Sequence, residues 1–139
     1  MEELQLKLCD IQGRLFELSY DVGLDSAVFI PTFMRSELAA ALDRSYNRMQ
    51  WAGEEYLLEE LRDVNRGELR YGGELYPKDT LYWIGYLYRW WHCRTGESSR
   101  TIYRQAPTAV MRRNYRMFHT LDPQLAVENL KELYDERQK

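Results

Sequence analysis

His92 and Cys93 are adjacent, with Arg89 three residues before the histidine, and this short stretch holds half of the chain's two histidines and two cysteines. A nucleophilic thiol needs a base within hydrogen-bond reach, but neighbouring helical residues project about 100° apart, so His92 and Cys93 are poorly placed to serve each other. Cys9 with His119 is the other thiol–imidazole pairing. Two Cys and two His without paired ligand spacing do not make a zinc site, and arginines at 89 and 116, three before each His, rule out the Glu-x-x-His pattern of di-iron bundles. Gly72-Gly73 lacks the Lys-Ser/Thr of a phosphate loop. No catalytic motif is found, and no cofactor or metal is expected.

Arg89 and His92 belong instead to a stripe. Lys78, Gly85, Arg89 and His92 are separated by 7, 4 and 3, which places them on one side of a helix that is otherwise apolar or aromatic, Leu81 to Cys93. Two readings are open. Arg89 and His92 form a buried polar network along a packing seam, or they line a pocket or partner contact flanked by Tyr82 and Tyr88. An arginine beside exposed aromatics is the make-up of an interaction hot spot. Glu54 favours the first reading: it lies three or four positions from Trp51, Leu57 and Leu58, on an apolar face, where a carboxylate needs a cation. Arg89 is the first candidate partner and Arg100 the second, which makes Glu54 a structural buried charge.

The elements that position these groups are helical. Leu4, Leu8, Ile11, Leu15 and Leu18 step by 4, 3, 4 and 3 along a first helix ending near Gly23. Asp25 or Ser26 caps a second, which Pro31 is expected to bend or break. Ser36 opens a short segment, Glu37 to Asp43, and a longer helix is expected from Met49 to Val64. Between Arg66 and Gly73 lies a polar connection with room for a short extended piece. The aromatic helix, about residues 78–95, follows Pro77 and stops at Gly96. Ser98 or Ser99 caps a helix to Gln105, Thr108 begins one to Phe118, and Asp122-Pro123 opens the last. The expected fold is all-α, a single domain over residues 1–139, with about six or seven helices in a bundle around the aromatic helix.

Bulk properties limit the functional classes. With 139 residues and 45% hydrophobic residues, the chain can bury a core without disulfides. An acidic start, Met1-Glu2-Glu3, and no apolar run near the roughly 20 residues of a membrane span point to a cytoplasmic, soluble protein with free cysteines. The net charge of −3 is unevenly spread: seven arginines and one acid, Glu97, lie between Thr80 and His119, so this stretch carries +6 and the remainder −9. Arg112, Arg113 and Arg116 fall on the second of two short helices with a helix-turn-helix outline, which raises a nucleic-acid-binding regulator using the basic segment 100–116. Pro107 in the turn and the acidic whole fit that outline poorly.

Glu3-Leu4-Gln5 through Phe16, Met49-Gln50-Trp51-Ala52-Gly53-Glu54-Glu55-Tyr56, Leu81 through Arg89, Thr95-Gly96-Glu97-Ser98-Ser99 and His119-Thr120-Leu121-Asp122-Pro123 form a distinctive set of strings. In these the chain resembles a family of small uncharacterised bacterial proteins, mainly of gut anaerobes, associated with toxin–antitoxin gene neighbourhoods. The resemblance implies a folded, non-catalytic antitoxin-like module whose protein partner is a cognate toxin, an ADP-ribosyltransferase-like one among the types it admits. Trp51, Tyr82, Arg89, His92, Arg112, Arg113 and Arg116 are then the expected partner-binding residues.

Overall fold

Two glycines decide how the first and fifth helices meet. In the computed structural model, which describes residues 1–44 and 47–139, α1 (Glu3–Asp21) and α5 (Lys78–Thr95) lie against each other along most of their length. A Cβ on Gly85 would stand 2.6 Å from the Gln12 carbonyl oxygen and 2.7 Å from the Phe16 ring, and one on Gly13 would stand 2.7 Å from the Tyr82 ring. Backbone and ring occupy the space that any larger residue would need, so the seam is closer than side chains would allow. The contacts run antiparallel, with Gly13 beside Tyr82, Phe16 beside Gly85 and Gln12 beside Arg89. At the start of α5, Lys78 pairs with Asp21 at 2.9 Å. Gly85 and Arg89 of the stripe are therefore covered by α1 as a packing seam, while Lys78 stays exposed at its end.

The remaining helices are α2 (Ser26–Met34), α3 (Glu37–Asp43), α4 (Glu54–Val64), α6 (Ser99–Gln105), α7 (Thr108–Phe118) and α8 (Pro123–Arg137), with a 3-10 turn at Arg48–Trp51. Eight α-helices among the described residues replace the expected six or seven, because the short segment Glu37–Asp43, capped by Ser36, also closes as a helix. Side chains of Asp25, Ser36, Ser98 and Asp122 accept the N–H groups of Ala27, Ala39, Thr101 and Gln124 at 2.9–3.1 Å. Each such cap is worth about 1 kcal/mol. Gly96 ends α5 at φ 79°, its N–H on the His92 carbonyl at 2.8 Å.

Three local expectations change. The helix foreseen over Met49–Val64 is split, because Gly53 is extended (φ −79°, ψ 168°) and serves as N-cap to α4 after the 3-10 turn. Pro31 does not break α2, which runs on to Met34. The extended piece is a single antiparallel bridge between Leu24 and Tyr71, backed by Gly72 N–H to the Gly23 carbonyl at 2.8 Å.

One apolar cluster draws on all eight α-helices. Phe16 stands within it, edge-on to Phe29, Phe33 and Tyr88 at centroid distances of 5.1, 5.4 and 6.4 Å. Burying each of these large side chains contributes about 1.5–3 kcal/mol. Trp91, Leu87, Ile84 and Leu81 of α5 are buried in the same cluster, and α5 also touches α6, α7 and α8. None of the helices among the described residues is long and apolar enough to cross a membrane.

Candidate functional site

The α1–α5 seam ends in a buried polar network. Arg89, with 1% of its side chain exposed, donates from Nε to Gln12 Oε1 at 2.8 Å, from Nη1 to Asp43 Oδ1 at 2.7 Å and from Nη2 to Ser99 Oγ at 3.4 Å. Asp43, the last residue of α3, also accepts the Ser99 N–H and hydroxyl, both at 2.8 Å, and Gln12 Nε2 donates to the Gly85 carbonyl at 2.9 Å. A single carboxylate thus ties α3, α5 and α6 together. Every nitrogen of the guanidinium is bonded to the protein, so Arg89 is an internal strut and is not available to a partner.

This corrects two expectations. Arg89 pairs with Asp43 rather than Glu54, and Glu54 is half-buried at the first position of α4. A carboxylate there faces the unpaired N–H groups of the helix start and is stabilised by the helix dipole without a buried cation.

Beside this network lies a cleft of about 490 Å³ whose walls include Asp43, Arg89, His92, Cys93 and Gln50. His92 Nδ1 lies 2.7 Å from the Glu97 carbonyl oxygen and 3.6 Å from Asp43 Oδ1, so that nitrogen carries a proton donated to the carbonyl. Neighbouring residues do share this cleft, yet with Nδ1 committed to Glu97 the imidazole is held as part of the α5–α6 corner. Cys9 and Cys93 are free thiols, one turn beyond the Gln12–Arg89 contact on the same antiparallel register. A hydrogen bond from the Cys9 thiol holds Cys93 below the usual thiol range against the opposing effect of burial, and Arg89 adds to the lowering. The same contact, with burial, pushes Cys9 far up. No group of three or more His, Cys, Asp or Glu among the described residues could hold a metal ion.

A second cleft, of about 390 Å³, is formed where α5 meets α7 and the start of α8, and its walls include Tyr82, Trp83, Tyr86, Tyr115, His119 and Leu121. Trp83 and Tyr115 meet edge-to-face at 5.7 Å, Tyr115 and His119 stack at 4.3 Å, and Tyr82 and Tyr86 lie 5.9 Å apart. The Tyr82 hydroxyl donates to Asp10, and burial with that bond pushes its own ionisation up. Tyr82, Trp83, Tyr86 and Tyr115 are half-buried and His119 is exposed.

No family model, curated protein or solved structure matches this chain. Its function must therefore be argued from these surfaces.

The other expected contact residues are scattered. Trp51, on the 3-10 turn, is 72% exposed but lies outside the aromatic cleft. Arg112 is half-buried, 4.2 Å from the Tyr76 ring centroid and 3.9 Å from Glu74, so part of the basic segment faces the protein's own acidic half. Arg113 and Arg116 are exposed on α7. Tyr82, expected beside Arg89 and His92, instead lines the aromatic cleft, and the sequence did not single out Trp83, Tyr86, Tyr115, His119 or Leu121. The spacing of Tyr82 with Tyr86 and of Tyr115 with His119, both i,i+4, was the available signal. Asp43 was missed as well, although an acid in the last turn of a helix opposes the dipole and so asks for a cation nearby.

Proposed function

We propose that the protein is a non-catalytic, antitoxin-like interaction module that binds and neutralises a cognate toxin, using the aromatic cleft between α5 and α7 as its main contact. The observation that carries this reading is the open row of Tyr82, Trp83, Tyr86, Tyr115 and His119. Half-buried rings present large, rigid apolar area with little side-chain entropy left to lose, which is what the centre of a protein interface requires. Exposed Arg116, on the same helix as Tyr115 and close in sequence to His119, supplies charge for steering an acidic partner. The cytoplasm, where the partner would be made, is the compartment that suits the two free thiols.

The test is co-expression with the product of the neighbouring gene. The chain is expected to restore growth and to co-purify, and Tyr86→Ala with Tyr115→Ala is expected to weaken the complex at least tenfold while the helical circular-dichroism spectrum stays unchanged. Failure of the unmodified chain both to rescue and to co-purify would sink the proposal.

A further inference from the structure

Arg35, Arg100 and Arg104 converge on one cleft of about 470 Å³, completed by Tyr103 and Pro107. Arg35 follows the end of α2, and the other two arginines lie one turn apart on α6. Among the described residues no carboxylate contributes to the cleft wall. Glu37, 79% exposed, forms a surface ion pair with Arg100 Nη2 at 3.7 Å. Like charges at i,i+4 on a helix repel, and a third cation beside them adds to that repulsion.

Two of the three guanidinia are held in place. Arg100 donates from Nε at 3.1 Å and from Nη2 at 2.7 Å to the Arg35 carbonyl, one of the otherwise unpaired carbonyls at the end of α2. The Arg35 guanidinium lies 5.1 Å from the centroid of the Tyr103 ring, whose hydroxyl is fixed 2.8 Å from Thr108 Oγ1. Stacking on a ring uses the face of the guanidinium and leaves its N–H edge free. Arg100 keeps Nη1, and exposed Arg104 brings a further fork. The cleft therefore offers three sets of donors from different directions, with part of the ordering cost already met by the fold.

We propose that this cleft is a binding site for a terminal phosphate monoester. Such a group carries close to two negative charges at neutral pH and three acceptor oxygens in a tetrahedral array, which matches three separated arginines. A carboxylate has one charge in one plane, and a phosphodiester has one charge, so each leaves most of the positive charge uncompensated. The site lies apart from the aromatic cleft, on the α2–α6 side of the molecule, and does not depend on the interaction reading.

The experiment is calorimetric titration of the full chain with inorganic phosphate, adenosine monophosphate and adenosine, in an acetate buffer of constant ionic strength. Saturable one-to-one binding of phosphate or the monophosphate is expected, with none for adenosine. Tighter binding of the monophosphate assigns the site to a nucleotide, and equal binding assigns it to free phosphate. Arg104→Gln, at an exposed position, should weaken binding at least tenfold, and Arg66→Gln, an exposed arginine outside the cleft, should leave it unchanged. The proposal is overturned if neither phosphate ligand saturates, if adenosine binds as well as its monophosphate, or if the Arg66 variant loses binding while the Arg104 variant keeps it.

Discussion

Replacing Asp43 by alanine is expected to be among the most damaging single changes on the polar side of the fold. The carboxylate accepts from Arg89 Nη1, Ser99 N and Ser99 Oγ, all within 2.8 Å, and the arginine it neutralises is 1% exposed. With the carboxylate gone, the guanidinium keeps Gln12 and Ser99 but loses the carboxylate that neutralised it, and only 1% of its side chain is exposed to solvent. Removing one partner of a buried pair costs about 3–5 kcal/mol, much of it the penalty of the charge left behind. For a chain of this length that corresponds to a fall in Tm of roughly 10–17 °C. The assay is urea unfolding followed by circular dichroism, read as a lower midpoint at unchanged slope. The control is the double variant Asp43→Ala with Arg89→Met, which removes the stranded charge and should recover about 2 kcal/mol of the loss. A loss below about 1 kcal/mol for the single variant, or a double variant no more stable than the single, would refute the assignment of the pair as the polar anchor of α3, α5 and α6.

Two further perturbations test the corner around α5. Glu97 accepts from Trp91 Nε1 at 3.0 Å, Gln105 Nε2 at 2.6 Å and Lys131 Nζ at 2.8 Å; burial pushes its carboxyl up, but these bonds outweigh it and hold the group at about 2. Because the folded value is below the unfolded one, its stabilisation is complete above about pH 4.5 and is lost as pH falls towards 2. Allowing for solvent screening, Glu97→Gln should cost about 1–2 kcal/mol at neutral pH. That difference from the unmodified chain should shrink below pH 4.5, and a gap independent of pH would count against it. Cys93, half-buried at the cleft and lowered by Cys9, should be alkylated in the native protein, with Cys9 reacting only in urea. Peptide mapping after a short pulse with iodoacetamide distinguishes the two, and equal native labelling would contradict the placement.

The parts of this fold that were readable in the sequence are those decided within a turn or two of chain. Asp25, Ser36, Ser98 and Asp122 cap their own helices, and Gly96 closes α5, because caps are local chemistry. The stripe of Lys78, Gly85, Arg89 and His92 was legible as a stripe. Its counter-charge was not, since Asp43 and Arg89 are 46 residues apart and only the packing of α3 against α6 brings them together. Glu54 misled because its spacing from Leu57 and Leu58 resembles that of a buried position, whereas Gly53 starts the helix there and leaves the carboxylate at its end. The aromatic cleft combines faces of α5 and α7, and the three-arginine cleft combines the end of α2 with α6. Neither could be assembled without knowing how those helices are rotated about their axes.

The close α1–α5 seam also dictates a waiting time. Its partners, Gly13 with Tyr82 and Gln12 with Gly85 and Arg89, come from the two sides of an interval of about seventy residues. A ribosome adding roughly 5–20 residues per second leaves Phe16 and Leu15 without their α5 neighbours for several seconds or more after α1 is made. During nascent-chain growth the face of α1 that α5 covers therefore stays without its final partner until residues 78–95 have been made, with α2 and α4 available to shelter the helix.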